Sequence, residues 1–241
     1  MHYISILSTV VAFAFTAAVI ERYRRRGGVH LLLWGIGLFL FGLGTLSEVI
    51  LIFTYNTPIL KVWYLSGAML TAAWLGQGTM HLLVRKTGVA KALTALLALL
   101  TLAAVGTIVL APVDQAAAAA FNVSQPISAQ YKEILVRGTP MIILTILLNT
   151  YGAVVLIGGA VYSAFIFWRK RVLLDRTLGN ILIAAGALMP TLGGTFIRAG
   201  LPDWLYLSEF LGIILMYAGF VKATAYRPVE EAQGVAPASA N

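Results

Sequence analysis

The chain has 241 residues, 60% of them hydrophobic and 11% charged, with a net charge of +8 and no cysteine. A soluble domain carries about 25% charged residues, so water is the wrong solvent for most of this surface. The lack of cysteine excludes disulfides, thiolate metal sites and cysteine nucleophiles.

Long apolar runs, without the short alternating segments of a barrel, predict helices that satisfy their own backbone amides in a bilayer. In chain order they fall at about 3–21, 30–53, 60–83, 92–111, 140–168, 178–199 and 205–225. Each is long enough to cross a hydrocarbon core of roughly 30 Å. The first reads as a retained helix, because Arg22, Arg24, Arg25 and Arg26 follow the apolar run, whereas the basic residues of a cleaved signal precede it. The connection at 112–139 is the one long link, and its AAAAAFNVSQPISAQYKEIL run has room for a small surface helix. Residues 1–225 thus read as one all-α, seven-helix transmembrane domain. Residues 226–241, rich in Ala and Pro and acidic at Glu230 and Glu231, read as a disordered cytoplasmic tail.

The basic residues set the orientation. With the N-terminus outside, Arg22, Arg24, Arg25, Arg26, Arg85, Lys86, Lys91, Arg169, Lys170, Arg171, Arg176, Lys222 and Arg227 fall inside, and Lys61, Lys132, Arg137 and Arg198 outside. Only an odd number of crossings gives this alternation, with the C-terminus in the cytoplasm. The expected location is the bacterial cytoplasmic membrane, with multiple crossings. The positive balance then serves as an anchor to anionic membrane lipids, and no nucleic-acid partner is expected.

Small and polar residues recur at helical spacing and should point into the bundle. The second helix carries Trp34, Gly37, Phe41, Gly44 and Glu48. The third carries Tyr64, Gly67, Thr71, Trp74, Gly78 and His81. The fifth carries Thr145, Asn149, Gly152, Gly159 and Ser163, and the sixth Asn180, Ala184, Ala187, Thr191, Gly194 and Arg198. Helix direction gathers a candidate ligand-binding set in the outer half: Glu48, Tyr64, Thr71, Asn149, Arg198, Tyr206 and Glu209. A carboxylate in hydrocarbon must be paired, protonated or wetted, and both Glu48 and Glu209 compete for Arg198. A structural clamp joining the second, sixth and seventh helices is the competing reading. Pro190 removes the helical bond to Gly186, so a kink or break is expected there, and Pro190, Gly193 and Gly194 form a candidate hinge.

No catalytic motif, metal spacing or cofactor site is present. His30 and His81 share a depth but read as interfacial anchors. The last helix offers only Lys222 near its end, which argues against a retinal Schiff base.

The stretch ERYRRRGGVHLLLWGIGLFLFGLGTLSEVI, followed by VWYLSGAMLTAAWLGQGTMHLLVRK, resembles the seven-helix N-terminal sensory module of bacterial histidine kinases and diguanylate cyclases. The resemblance implies an outside N-terminus and a ligand or membrane signal passed to a cytoplasmic output domain. No room for that domain follows Tyr226, so a separate partner protein is expected. The functional expectation is a non-enzymatic, sensor-like module that binds a small or lipidic ligand in an outer polar cavity and acts through a partner. The alternatives are a small-molecule or proton-coupled transporter and an intramembrane enzyme acting on lipid or quinone.

Overall fold

The computed structural model describes residues 3–84, 87–169, 174–201 and 203–224, and the expected tail at 226–241 lies outside them. Helix α1 (Ile4–Arg26) is followed by α2 (Val29–Phe53) and by a third span made of α3 (Thr57–Trp63), a π-helical segment (Tyr64–Leu70) and α4 (Thr71–Leu83). Next come α5 (Thr87–Leu110), the short α6 (Gln115–Ala119) and α7 (Ile127–Ile134), then α8 (Thr139–Arg169), α9 (Leu174–Arg198) and α10 (Asp203–Thr224). Among the described residues six helices are long and apolar enough to cross a membrane: α1, α2, the composite third span, α5, α8 and α10. The protein is therefore an all-α, multi-pass membrane protein. The remaining long helix, α9, has 25 residues and lies against α8 and α10.

Local chemistry sets the helix boundaries. Gly27 and Gly28 join α1 to α2 with φ of 68° and 103°, a conformation that side chains with a Cβ resist. Asn56 caps α3 by accepting the Ile59 amide at 3.1 Å, with Pro58 in the first turn where no amide is needed. In the π-helical segment the turns widen, and the Thr71 hydroxyl donates to the Ser66 carbonyl at 2.8 Å, five residues back.

The long helices close into a ring in the order α1, α2, α4, α8, α9, α10 and back to α1, with α5 outside it against α4 and α8. Lipid supplies no hydrophobic drive between helices, so close packing must hold the ring. Glycines permit that packing on the expected faces, and Gly76, which lies off them, adds a further contact. Gly44 meets Gly67, Gly76 meets Gly152, Gly78 meets Trp34 and Gly159 meets Thr79. The α9–α10 seam is different: it is formed by Gly179 against Gly219 and Gly186 against Gly212. Outward-facing Leu99, Leu102, Ile146, Val154 and Val161 leave α5 and α8 apolar on the lipid side.

All six ring helices contribute to an apolar chamber at the axis, where Val19, Leu38, Leu75, Leu156, Ile183 and Phe220 face one another. Its volume is about 370 Å³ including its openings, of which about 40 Å³ is enclosed, and its walls belong to one buried core. The arginines of the α1–α2 turn mark one end of the ring, the basic end; Glu48 lies toward the other.

The connection between α5 and α8 folds over the Glu48 end. It contains two helices, one more than the sequence suggested. Val113 and Leu135 pair as an antiparallel bridge, and Asp114 caps α6 by accepting the Ala116 and Ala117 amides at 2.9 Å. Gln130 bonds the backbone of Asn122 in both directions, at 2.8 and 2.9 Å. Ile127, Ile134 and Leu135 are buried in the same core as Leu60 and Trp63, so this cap is part of the packed bundle.

Candidate functional site

Glu48 sits four-fifths of the way along an apolar helix and is 4% exposed. A bare carboxylate there costs several kcal/mol or more. Two donors from other helices offset that cost: Ser5 of α1 reaches Oε2 at 2.8 Å, and the Trp63 indole of α3 reaches Oε1 at 2.9 Å. Tyr206, 2% exposed, and Glu209 lie three residues apart on one face of α10, both within electrostatic reach of Glu48. Among the described residues Glu209 has no hydrogen-bond or ion-pair partner.

A cleft opens beside these groups, lined by Ser5, Glu48, Leu51, Ile52 and Tyr206 and roofed by Gln125, Pro126 and Ile127 from the cap. It measures about 230 Å³ including its open mouth, of which about 10 Å³ is enclosed, room for about one water. Its polar lining is one carboxylate, Glu48, with the Tyr206 phenol, the Ser5 hydroxyl and the Gln125 amide, a set suited to a cation or a hydrogen-bond donor. Among the described residues no three His, Asp or Glu side chains converge as metal ligands.

The residues expected to share one cavity separate into two groups. Glu48, Tyr206 and Glu209 come together. Tyr64, Thr71 and Asn149 instead surround the π-helical segment. The Asn149 amide donates to the Ala68 carbonyl at 2.6 Å and to Thr145 at 2.8 Å. The Tyr64 hydroxyl meets that of Thr145 at 3.3 Å, and its ring packs on Tyr131 of the cap. These contacts hold a helix irregularity against its neighbour. The Arg198 side chain, Gly193 and Gly194 fall in the part of α9 whose side chains and packing lie outside the described residues. The helix runs unbroken through Pro190, whose ring lies beside Gly212 of α10, where no side chain intrudes.

Sequence reasoning missed Ser5, Trp63 and the Gln125–Ile127 roof. Ser5, Ser8, Thr9 and Ala12 do form a small, polar stripe at helical spacing on α1, all buried, and that stripe was a readable signal. It also missed a second polar network. Gln77, 0% exposed, donates to the Ala90 carbonyl at 3.0 Å and to Thr94 at 2.8 Å, and accepts from the Tyr151 hydroxyl. Thr94 in turn meets His81 at 2.7 Å. This network ties α5 to α4 and α8. It also gives His81 a partner, while His30 packs edge-on against Trp34 at 5.5 Å.

Compared with family models, curated proteins and solved structures, the chain matches none.

Proposed function

We propose that the protein is a non-enzymatic, sensor-like membrane module that binds a small cationic or hydrogen-bond-donating ligand in the Glu48 cleft and acts through a partner protein. The observation that carries this reading is a carboxylate buried in a helix, held by donors from two others, and facing a cleft roofed by a packed cap. Glu48 links α1, α2 and α3 and adjoins α10, so a ligand that draws on its charge changes contacts among four helices at once. That coupling suits a receiver whose output is a change in the bundle's far end.

The topology in this reading has seven crossings, with α9 as the sixth, the N-terminus and cap outside, and the basic end in the cytoplasm. Two facts support it. α9 fills the ring position between α8 and α10, and the basic residues alternate sides only with an odd count.

The test is thermal unfolding of the purified chain with a panel of small ammonium and guanidinium compounds. A stabilising compound for the wild type should lose its effect in Glu48→Gln and Glu209→Gln chains that still fold. Equal shifts in all three chains would place binding elsewhere. A proton-coupled carrier is a second reading of the paired carboxylates Glu48 and Glu209, and uptake of the same compound into sealed vesicles, driven by a pH gradient, would favour it.

A further inference from the structure

The enclosed part of the Glu48 cleft, about 10 Å³, has room for about one water, so its occupant is the size of a single atom or a water. Glu48 sets the charge there. An ionised carboxylate has about four acceptor sites, and Ser5 and Trp63 fill two of them. No described Lys or Arg pairs with it. One buried negative charge thus keeps acceptor sites to spare, and a membrane interior demands a cation or a proton to balance it.

The groups around this charge are oxygens. The Ser5 hydroxyl gives its one proton to Glu48, so toward anything else it is an acceptor. The Tyr206 phenol lines the cleft from α10. Ser128 of the cap, 2% exposed, stands beside Tyr206, and among the described residues its hydroxyl has no hydrogen-bond partner. Buried hydroxyls are nearly always satisfied, so this one points to a missing ligand. A single carboxylate among neutral oxygens suits a hard, singly charged cation. Calcium takes about six to eight oxygens, and magnesium keeps waters for which the enclosed space has no room. Among the described residues no three acidic or His side chains converge for either ion. A charged oxygen is a stronger ligand than a carbonyl and favours sodium over the larger potassium.

We propose that the cleft binds one sodium ion, held by the Glu48 carboxylate with the oxygens of Ser5 and Tyr206, and by Ser128 from the cap. The inference rests on the reading of this cleft as a cation site and narrows it to a monatomic ion. Bound sodium ties the cap to α1, α2 and α10, so its occupancy sets how firmly the cap is seated.

Thermal unfolding of the full chain in detergent, at fixed pH and ionic strength with choline chloride replaced stepwise by sodium or potassium chloride, tests the proposal. Sodium should stabilise saturably and more than potassium or choline. Glu48→Gln should abolish the sodium shift, and Ser128→Ala should weaken sodium about two- to tenfold, the scale of one neutral polar contact. Glu133→Gln, which removes an exposed carboxylate of the cap, should leave the shift unchanged. Should Glu48→Gln fail to fold, binding of radioactive sodium to the wild-type and Ser128→Ala chains answers the question. Equal shifts with all three salts, a sodium shift that survives in Glu48→Gln, or stabilisation by acid with no sodium effect at any pH would each overturn it. An ammonium or guanidinium compound that stabilises through Glu48, while sodium neither stabilises nor competes, would also overturn it and leave the broader cation reading standing. No response to any of these cations would sink both.

Discussion

The indole of Trp63 donates to Glu48 at 2.9 Å across the α2–α3 turn, while Ser5 serves the other carboxylate oxygen, so three helices meet at one acceptor. Removing that acceptor strands two buried donors. Glu48→Ala should therefore destabilise the protein by about 1–3 kcal/mol, and Glu48→Gln, which keeps an amide oxygen for one donor, by less. Thermal unfolding in detergent checks the order; equal losses for the two variants would contradict it.

The Asn149 side chain serves the Ala68 carbonyl in the π-helical segment of the third span. Asn149→Leu leaves that carbonyl without its side-chain donor and should lower stability by about 0.6–1.7 kcal/mol, the range of polar contacts between membrane helices. Hydrogen exchange should rise first at Tyr64–Leu70. An unchanged exchange pattern would mean that the irregular turn holds itself.

Two glycines on α8 should respond in opposite ways. A Cβ on Gly152 meets the backbone of Ala72, whereas Gly158 has nothing within 4 Å. Gly152→Ala should destabilise by about 1–3 kcal/mol through overpacking. Gly158→Ala should be neutral or stabilising by up to about 1 kcal/mol, because alanine is the better helix former. Denaturation midpoints of the two chains decide this.

Gln77 fastens α5, which lies outside the ring, through Ala90 and Thr94. Gln77→Leu should loosen α5 selectively, read as faster exchange or proteolysis near Thr87–Leu110 while α9 and α10 keep their protection. Uniform loosening would show that the network supports the whole bundle.

How much of this was legible in the sequence depends on the type of signal. Apolar runs located the six spans that are long and apolar enough to cross a membrane, and glycine spacing marked faces turned into the bundle, because membrane length and backbone approach are local constraints. Helix direction and depth place Glu48, Tyr206 and Glu209 in the same half of the bundle, and in the structure the three lie within electrostatic reach of one another. Trp63 and Ser5 were not legible, since an indole or a serine in an apolar helix carries no sign of which carboxylate it will meet. Tyr64 and Asn149 share that depth but bond around the π-helical segment, because depth alone does not fix which neighbour a side chain meets. The Gly179–Gly219 and Gly186–Gly212 seam was missed although both helices carry glycines seven residues apart, a spacing that brings two antiparallel helices together twice.

The functional reading rests on a bundle whose Glu48 end faces outward and whose arginine turns face the cytoplasm. The chain has no cysteine, so single cysteines report position without background. With an impermeant maleimide on intact cells, Ser124→Cys in the cap and Ala199→Cys between α9 and α10 should label. Arg24→Cys and Arg176→Cys should label only after permeabilisation. Labelling of Arg24→Cys from the same side as Ser124→Cys, or of Arg176→Cys from the side opposite Arg24→Cys, would contradict the account.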